Sequence, residues 1–293
     1  MSTPAGPTRA ATLRALLRQG PVVLPGALNA LTARLIERQG FGAFYLSGAV
    51  IANSVLGVPD IGLTTLDEVT RHAGQCVAAT TLPAIADADT GFGGPANAAR
   101  TVREFERVGL AGLHLEDQEF PKRCGHLPGK RLVPVDEFRE KLAAAVAARR
   151  DPDFLIIART DARGVTGYDD AVARARAYLA AGADAIFPEA LRSREEFARF
   201  ARDVPALLLA NLTEFGQSPN LTADELGELG YRLIIFPVTL QRLAMGALRA
   251  ALAELRATGT SRGLLERMQT RAELYDLLGY DEPAPPRPAE EQA

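Results

Sequence analysis

Apolar and polar positions follow one repeating phrase along this chain: a helical stretch, a glycine, two or so residues, an apolar run, then a polar residue. Gln39-Gly40 precedes Ala43-Phe44-Tyr45-Leu46-Ser47, and Val108-Gly109 precedes Gly112-Leu113-His114-Leu115-Glu116. Ala181-Gly182 precedes Ala185-Ile186-Phe187-Pro188-Glu189, and Leu229-Gly230 precedes Leu233-Ile234-Ile235-Phe236-Pro237. Each glycine suits the left-handed position that ends a helix. Each apolar run suits a strand buried on both faces of a parallel sheet.

Further apolar runs lie at Val22–Leu24, Pro83–Asp87, Phe154–Arg159 and Ala206–Asn211. Helical patterns between the runs include Ala96–Val108, Asp169–Ala181 and Asp224–Leu229, the last with a Thr222/Glu225 capping-box signature. The alternation predicts an α/β chain folded as a (β/α)₈ TIM-type barrel; a doubly wound open sheet is the alternative it also permits. Ser47, Asp87, Glu116, Arg159, Glu189 and Asn211 close the predicted strands, the end where such barrels carry their active sites. Leu240–Ala257 and Leu264–Leu278 read as extra C-terminal helices. No linker interrupts 1–293, so a single barrel domain is expected, with mobile ends at about 1–7 and 281–293, where proline and polar residues dominate.

Composition narrows the function classes. Of 293 residues, 47% are hydrophobic, enough for a large core. Lys plus Arg number 33 against 36 Asp plus Glu, a net charge of −3 that offers no basic field for nucleic acid. Two cysteines, Cys76 and Cys124, cannot build a disulfide framework and suit a reducing compartment. With no signal-peptide pattern and no membrane-spanning run, a cytoplasmic location without nucleic-acid or membrane partners is expected.

Candidate chemistry gathers in the polar segments. Cys124 lies in Pro121-Lys122-Arg123-Cys124-Gly125-His126, where flanking cations are expected to favour its thiolate. Cys76, in an apolar helical context, reads as a buried filler. Asp87 and Asp89 flank one residue at a strand end: either a Mg²⁺ site that keeps most of its waters, or an Asx turn. Glu116, ending the next strand, is expected to join them, and Asp60 to assist through water or merely to form a surface turn. Arg159 follows an apolar strand, so it either holds a substrate carboxylate or forms a structural salt bridge. Ser47, Gly48, Asn211 and Thr213 offer neutral donors or local caps. Arg242 and Arg271 read as surface residues, His72 likewise, and His114 as a structural hydrogen-bonding residue. No zinc spacing occurs, and Gly91-Phe92-Gly93-Gly94 lacks the ending of a phosphate loop.

Taken together, Tyr45-Leu46-Ser47-Gly48, Leu56-Gly57-Val58-Pro59-Asp60, Asp87–Gly93, His114–Gln118, Lys122–His126, Ala158–Asp161, Phe187–Ala190, Asn211–Gly216 and Met268–Arg271 resemble the isocitrate lyase and phosphoenolpyruvate mutase superfamily, from about Pro21 to Tyr280. Lys-Arg-Cys-Gly-His points to its cysteine-bearing lyases, nearest the methylisocitrate-cleaving branch. The resemblance implies Mg²⁺-dependent (or Mn²⁺-dependent) retro-Claisen cleavage of a 2-hydroxy tricarboxylate to pyruvate and succinate, in the methylcitrate route of propionate breakdown. It implies metal binding by Asp87 and Asp89 with Glu116 and Asp60 assisting, and a substrate site of Ser47, Gly48, Ala49, Cys124, Gly125, Arg159, Glu189, Asn211, Leu212, Thr213, Arg242 and Arg271. Cys124 would protonate the succinate carbanion, and Tyr45 is a candidate for the first proton acceptor, or else a barrel-filling aromatic. Leu212 and Phe236-Pro237 would face the substrate methyl. A homotetramer with an exchanged C-terminal helix is also implied. Ala49 and Val50 replace glycines of many relatives, and Leu127-Pro128-Gly129 also departs from some. Substrate choice therefore stays open to 2,3-dimethylmalate or oxaloacetate cleavage or carboxyphosphonoenolpyruvate mutase-like chemistry. A non-catalytic scaffold is disfavoured by the intact carboxylates and Cys124.

Overall fold

A computed structural model of the chain describes residues 6–280. The expectation of mobile ends falls on 1–5 and 281–293, which lie outside the described residues. Eight parallel strands form the sheet: β1 (Val22–Pro25), β2 (Phe44–Leu46), β3 (Ala84–Asp87), β4 (Gly112–Glu116), β5 (Leu155–Thr160), β6 (Ala185–Pro188), β7 (Leu207–Asn211) and β8 (Leu233–Phe236). Around them run α1 (Arg9–Gln19), α2 (Ala30–Arg38), α3 (Gly48–Val50, continuing as a π-helix over Ile51–Leu56), α4 (Leu66–Ala78), α5 (Pro95–Arg107), α6 (Val135–Ala148), α7 (Tyr168–Ala180), α8 (Arg194–Asp203) and α9 (Ala223–Glu228).

The strand order β1-β8-β7-β6-β5-β4-β3-β2 closes on itself where Gly26 bridges Tyr45 and the Ala27 amide donates to the Tyr45 carbonyl at 2.9 Å. An open doubly wound sheet would leave two free edges; this sheet is a nearly closed (β/α)₈ barrel. Every residue of β5 is buried, as a two-sided parallel strand requires. Gly40, Gly109, Gly182 and Gly230 all adopt positive φ after their helices. The Thr222/Glu225 capping box forms at the start of α9.

A layer of large side chains fills the barrel below its C-terminal rim. Tyr45 of β2 stacks on His114 of β4, with ring centroids 5.9 Å apart, and His114 meets Phe187 of β6 edge-on at 5.3 Å. All three come from even-numbered strands, the alternate-strand layering of such barrels. His114 is therefore buried in the barrel, floored by aromatics.

The chain divides into two compact units at Gly246–Ala247. α10 (Thr239–Thr258) is followed, within the C-terminal unit, by a 3₁₀ turn at Arg262–Arg267 and α11 (Arg271–Leu278). The single helix expected over Leu264–Leu278 is thus broken at Met268–Thr270. There Thr270 accepts from the Glu273 amide and starts a fresh helix with its own capping box. The Thr-x-x-Glu signal was present in the sequence; the apolar periodicity across it masked it.

His72 corrects another expectation. It is buried, because helical spacing sets it on the inward stripe of α4 with Val69, Ala73 and Cys76. Cys76 is buried beside it, 3.6 Å from His72 Nε2, and burial pushes its thiol up to about 12.

Candidate active site

The polar strand ends converge as the barrel requires. Tyr45, Ser47, Ala49, Asp60, Asp87, Cys124, Gly125, Arg159, Glu189, Asn211 and Thr213 line one cavity of about 60 Å³ at the barrel mouth. Lys122, His126, Phe187, Ile235, Pro237 and Val238 also line it, none of which was singled out for a substrate role except Pro237. Sites for small molecules usually span about 300–1,000 Å³. The loop over Glu119–Arg131 brings Lys122, Cys124, Gly125 and His126 onto the lining of this small cavity.

Asp87 and Asp89 both abut Gly48: a Cβ there would lie 2.9 Å from Asp87 Oδ2 and 3.3 Å from Asp89 Oδ1. Only glycine leaves both carboxylates room. The Asx turn and the carboxylate pair coexist, since the Asp89 amide donates to Asp87 Oδ1 at 2.9 Å. Asp89 itself takes a left-handed φ of 46°, a conformation asparagine and aspartate tolerate best. Among the described residues, no three His, Cys, Asp or Glu side chains converge at metal-ligand spacing. The expected three-carboxylate cluster is spread by two cations. Lys122 Nζ lies 2.5 Å from Asp60 and 2.7 Å from Asp89, and Arg159 draws Glu116 to its side at 3.2 Å.

The electrostatics nonetheless favour an added cation. Burial, reinforced by Asp87 and Asp60, lifts the Asp89 carboxyl to about 6 against the pull of Lys122. Burial also raises Glu116 well above the carboxylate range despite Arg159, and its Oε1 has no hydrogen-bond partner. For Asp87 burial is outweighed by His114, Lys122 and Arg159, which hold the carboxyl low. A hard divalent cation needs only one or two carboxylates and keeps its waters. Asp87 and Asp89, which both abut Gly48, fit that requirement, while Asp60 and Glu116 are engaged by Lys122 and Arg159.

Arg159 forms the structural salt bridges that were one of its two expected roles, and it does so at the cavity. It lines the cavity, yet its guanidinium meets Asp161 at 2.9 Å, Glu116 at 3.2 Å and Glu189 at 3.4 Å. Glu189 also accepts from the Ala190 amide at 2.9 Å and from Asn211 Nδ2 at 3.2 Å. His126 Nδ1 accepts from the Gln217 amide, which leaves Nε2–H to donate to Glu189 at 3.1 Å. Burial opposes ionisation of Glu189, but Arg159 and His126 overcome it and lower its pKa. Ser47 precedes α3 without a side-chain capping bond, so local capping does not occupy its hydroxyl.

Two expectations fail on environment. Cys124 was to be acidified by its flanking cations; burial instead raises its pKa. Lys122 is engaged with carboxylates, and Arg123 is exposed, so neither charge is spent on the thiol. Tyr45 was a candidate proton acceptor. Burial and the neighbouring Asp87 raise its pKa well above 10.0, holding it as a phenol 2.6 Å from His114 Nε2. Burial lowers His114 to about 4, so that ring is neutral.

Of the residues selected from the sequence, Gly48, Asp89, Glu116, Leu212, Phe236, Arg242 and Arg271 are not part of the cavity lining. Leu212 is buried at the end of β7, and Ile235, Pro237 and Val238 form the apolar wall it was expected to share. Arg242 pairs with Glu214 at 2.9 Å and lies over the exposed Phe215 ring. Arg271 is an exposed residue at the start of α11.

The phosphoenolpyruvate phosphomutase family profile matches residues 13–256. The chain belongs to the phosphoenolpyruvate phosphomutase family. Within the family it is 57% identical to a probable 2-methylisocitrate lyase of Corynebacterium glutamicum over 260 residues, covering 88% of this chain and 85% of that protein. The crystal structure of 2,3-dimethylmalate lyase superposes with a TM-score of 0.88 at 40% identity, covering 94% of this chain and 93% of that one. Phosphonopyruvate hydrolase in complex with oxalate and Mg²⁺ superposes with a TM-score of 0.84 at 32% identity, covering 93% and 95%. Proteins similar to this chain thus include both C–C lyases and a phosphonate hydrolase.

Proposed function

We propose that this chain is a Mg²⁺-dependent carbon–carbon lyase that cleaves 2-methylisocitrate to pyruvate and succinate. The observation that carries the reading is one cavity lined by both Asp87, of the Asp87/Asp89 pair, and the Cys124 thiol. The identity to the Corynebacterium protein supports the substrate.

The site's chemistry suits the reaction. The C2 hydroxyl passes its proton to a base (water in the cavity or a site carboxylate), C2 becomes the pyruvate carbonyl, and the C2–C3 bonding pair moves to C3. That carbanion lies beside a carboxylate and takes the proton from Cys124 Sγ, forming succinate. A thiol with a raised pKa stays protonated at neutral pH, so it is charged with the proton it must deliver. The thiolate recovers a proton from water once the loop opens. Tyr45, held as a phenol, offers a hydrogen bond to the substrate rather than a base. Asn211, Thr213 and the remaining N–H groups of Arg159 would bind the substrate carboxylates. A bound divalent cation would lower the cost of ionising the hydroxyl and stabilise the developing carbonyl. It would also offset the excess of carboxylates that otherwise repels a tricarboxylate. Mn²⁺, another hard cation, would serve in its place.

The enzyme would act in the cytoplasm, in the methylcitrate route of propionate breakdown. Among the described residues no helix is long and apolar enough to cross a membrane. A homotetramer with exchanged C-terminal helices is part of the reading. It is supported by the exposed Leu248, Leu252 and Leu255 on α10, and Arg271 would then complete a neighbour's site.

The deciding experiment compares kcat/KM for 2-methylisocitrate, isocitrate, 2,3-dimethylmalate and oxaloacetate with Mg²⁺ and with excess EDTA. 2-Methylisocitrate should lead isocitrate by about 10–200-fold, the worth of one methylene-sized contact. Equal efficiency on both, or a lead for dimethylmalate or oxaloacetate, overturns the substrate. Full turnover in EDTA overturns the metal.

A further inference from the structure

The loop that carries Cys124 is stapled from inside. Its stem is a short antiparallel pairing in which Gln118 bridges Leu132 and the Glu119 amide donates to the Arg131 carbonyl at 2.8 Å. Two side chains then grip the backbone on either side of the thiol. Before it, Gln118 Nε2 donates to the Arg123 carbonyl at 2.8 Å, and the Arg123 amide donates back to Gln118 Oε1 at 3.0 Å. After it, Lys130 Nζ donates to the Gly125 carbonyl. The same ammonium donates to Asp161 Oδ1 at 2.8 Å, and its side chain is only 3% exposed. Asp161 holds Arg159 in turn, at 2.9 Å.

Neither Gln118 nor Lys130 lines the cavity, and neither takes part in the chemistry above. A buried ammonium is costly unless its bonds are used. Here they tie the residue after the thiol to the carboxylate that anchors a cavity arginine. Gly125 makes that tie possible: a Cβ on it would lie 2.3 Å from Arg159 and 2.6 Å from Glu189.

We infer that Gln118 and Lys130 are positioning residues that fix Cys124 over the cavity by clamping the backbone on both sides of it. The kinetic part of this inference rests on the lyase reading; the structural part does not. The test uses the full-length enzyme in Mg²⁺ buffer without substrate. Alkylation of Cys124 by iodoacetamide is followed by mass spectrometry, with buried Cys76 as an internal monitor of global opening. In Lys130→Met and Gln118→Ala, Cys124 should react about tenfold faster or more, because an unclamped loop opens and returns the thiol to water, while Cys76 stays unreactive. Turnover should fall about 10–100-fold in kcat with KM within about twofold, the pattern of a misplaced group that substrate binding does not need. Alkylation of Cys124 at the wild-type rate in both variants overturns the inference, as does a rise in KM with kcat unchanged. Equal acceleration at Cys76 assigns the bonds to general stability and also overturns it. If Cys124 alone is unmasked but the wild type cleaves none of the four acids, the clamp stands and the lyase reading fails.

Discussion

Asp89 shows how a single residue couples the site to pH. Its carboxyl is lifted to about 6 because burial and two neighbouring aspartates oppose its charge more than Lys122 supports it. Under the proposed Mg²⁺ reading a metal would bind the ionised form, so each proton on Asp89 would compete with it. Below about pH 6 the affinity for Mg²⁺ should therefore weaken, approaching tenfold per pH unit, and above it Asp89 should impose no slope. Calorimetric titration between pH 5 and 8 checks this; a flat affinity across that range would remove Asp89 from the ligand set. The acid motif itself could be read from the sequence, because Asp-Ala-Asp at a strand end is a local pattern. The Cys124 pKa could not. Neighbours in sequence suggested cations beside the thiol, but long lysine and arginine side chains choose partners in space. Lys122 found carboxylates from other loops and strands, and Arg123 turned to solvent.

At the scale of elements, local signals and tertiary need agree closely. The α9 helix has only six residues, Ala223–Glu228, and buries Leu226. Its start depends on Thr222, which accepts from the Glu225 amide at 3.2 Å while Glu225 accepts from the Thr222 amide at 2.8 Å. Thr222→Ala should destabilise the barrel by about 1 kcal/mol, the usual cost of losing such a cap. In a thermal melt that is a drop of roughly 2–4 °C. An unchanged melting temperature would mean that packing of Leu226 alone holds the helix. Strand β4 formed over the residues its apolar run foretold, Gly112–Glu116. The C-terminal helix did not, because a run of suitable periodicity conceals an internal cap at Thr270.

At the scale of the whole molecule, the barrel and the C-terminal unit raise different questions. The barrel carries the cavity, and every strand but β1 contributes to its rim or wall, or anchors residues there. The C-terminal segment exposes Leu248, Leu252, Leu255, Leu265 and Met268, more apolar surface than isolated side chains explain. If copies of the chain bury that surface together, sedimentation should give a tetramer, and Leu248→Glu with Leu252→Glu should yield smaller species whose barrels still fold by circular dichroism. A monomer in the wild type would exclude the exchanged helix.

What the sequence by itself determined is what period and local chemistry encode. The strands and most of the helices follow from alternating apolar runs and glycine stops, and the strand-end acids follow from their place in that repeat. Closure into a ring was encoded less directly, since the same repeat could build an open sheet until Gly26 met Tyr45 across the seam. The tertiary structure alone decided which charges meet. It set Lys122 between Asp60 and Asp89, Arg159 among three carboxylates, Leu212 off the cavity wall, and Lys130 behind the thiol loop. Apart from Asp161, which follows Arg159 by two residues, these partners lie on different strands and loops, tens of residues apart in the chain. Electrostatic energy depends on their separation in space and on the water excluded between them, and neither is written in the order of residues.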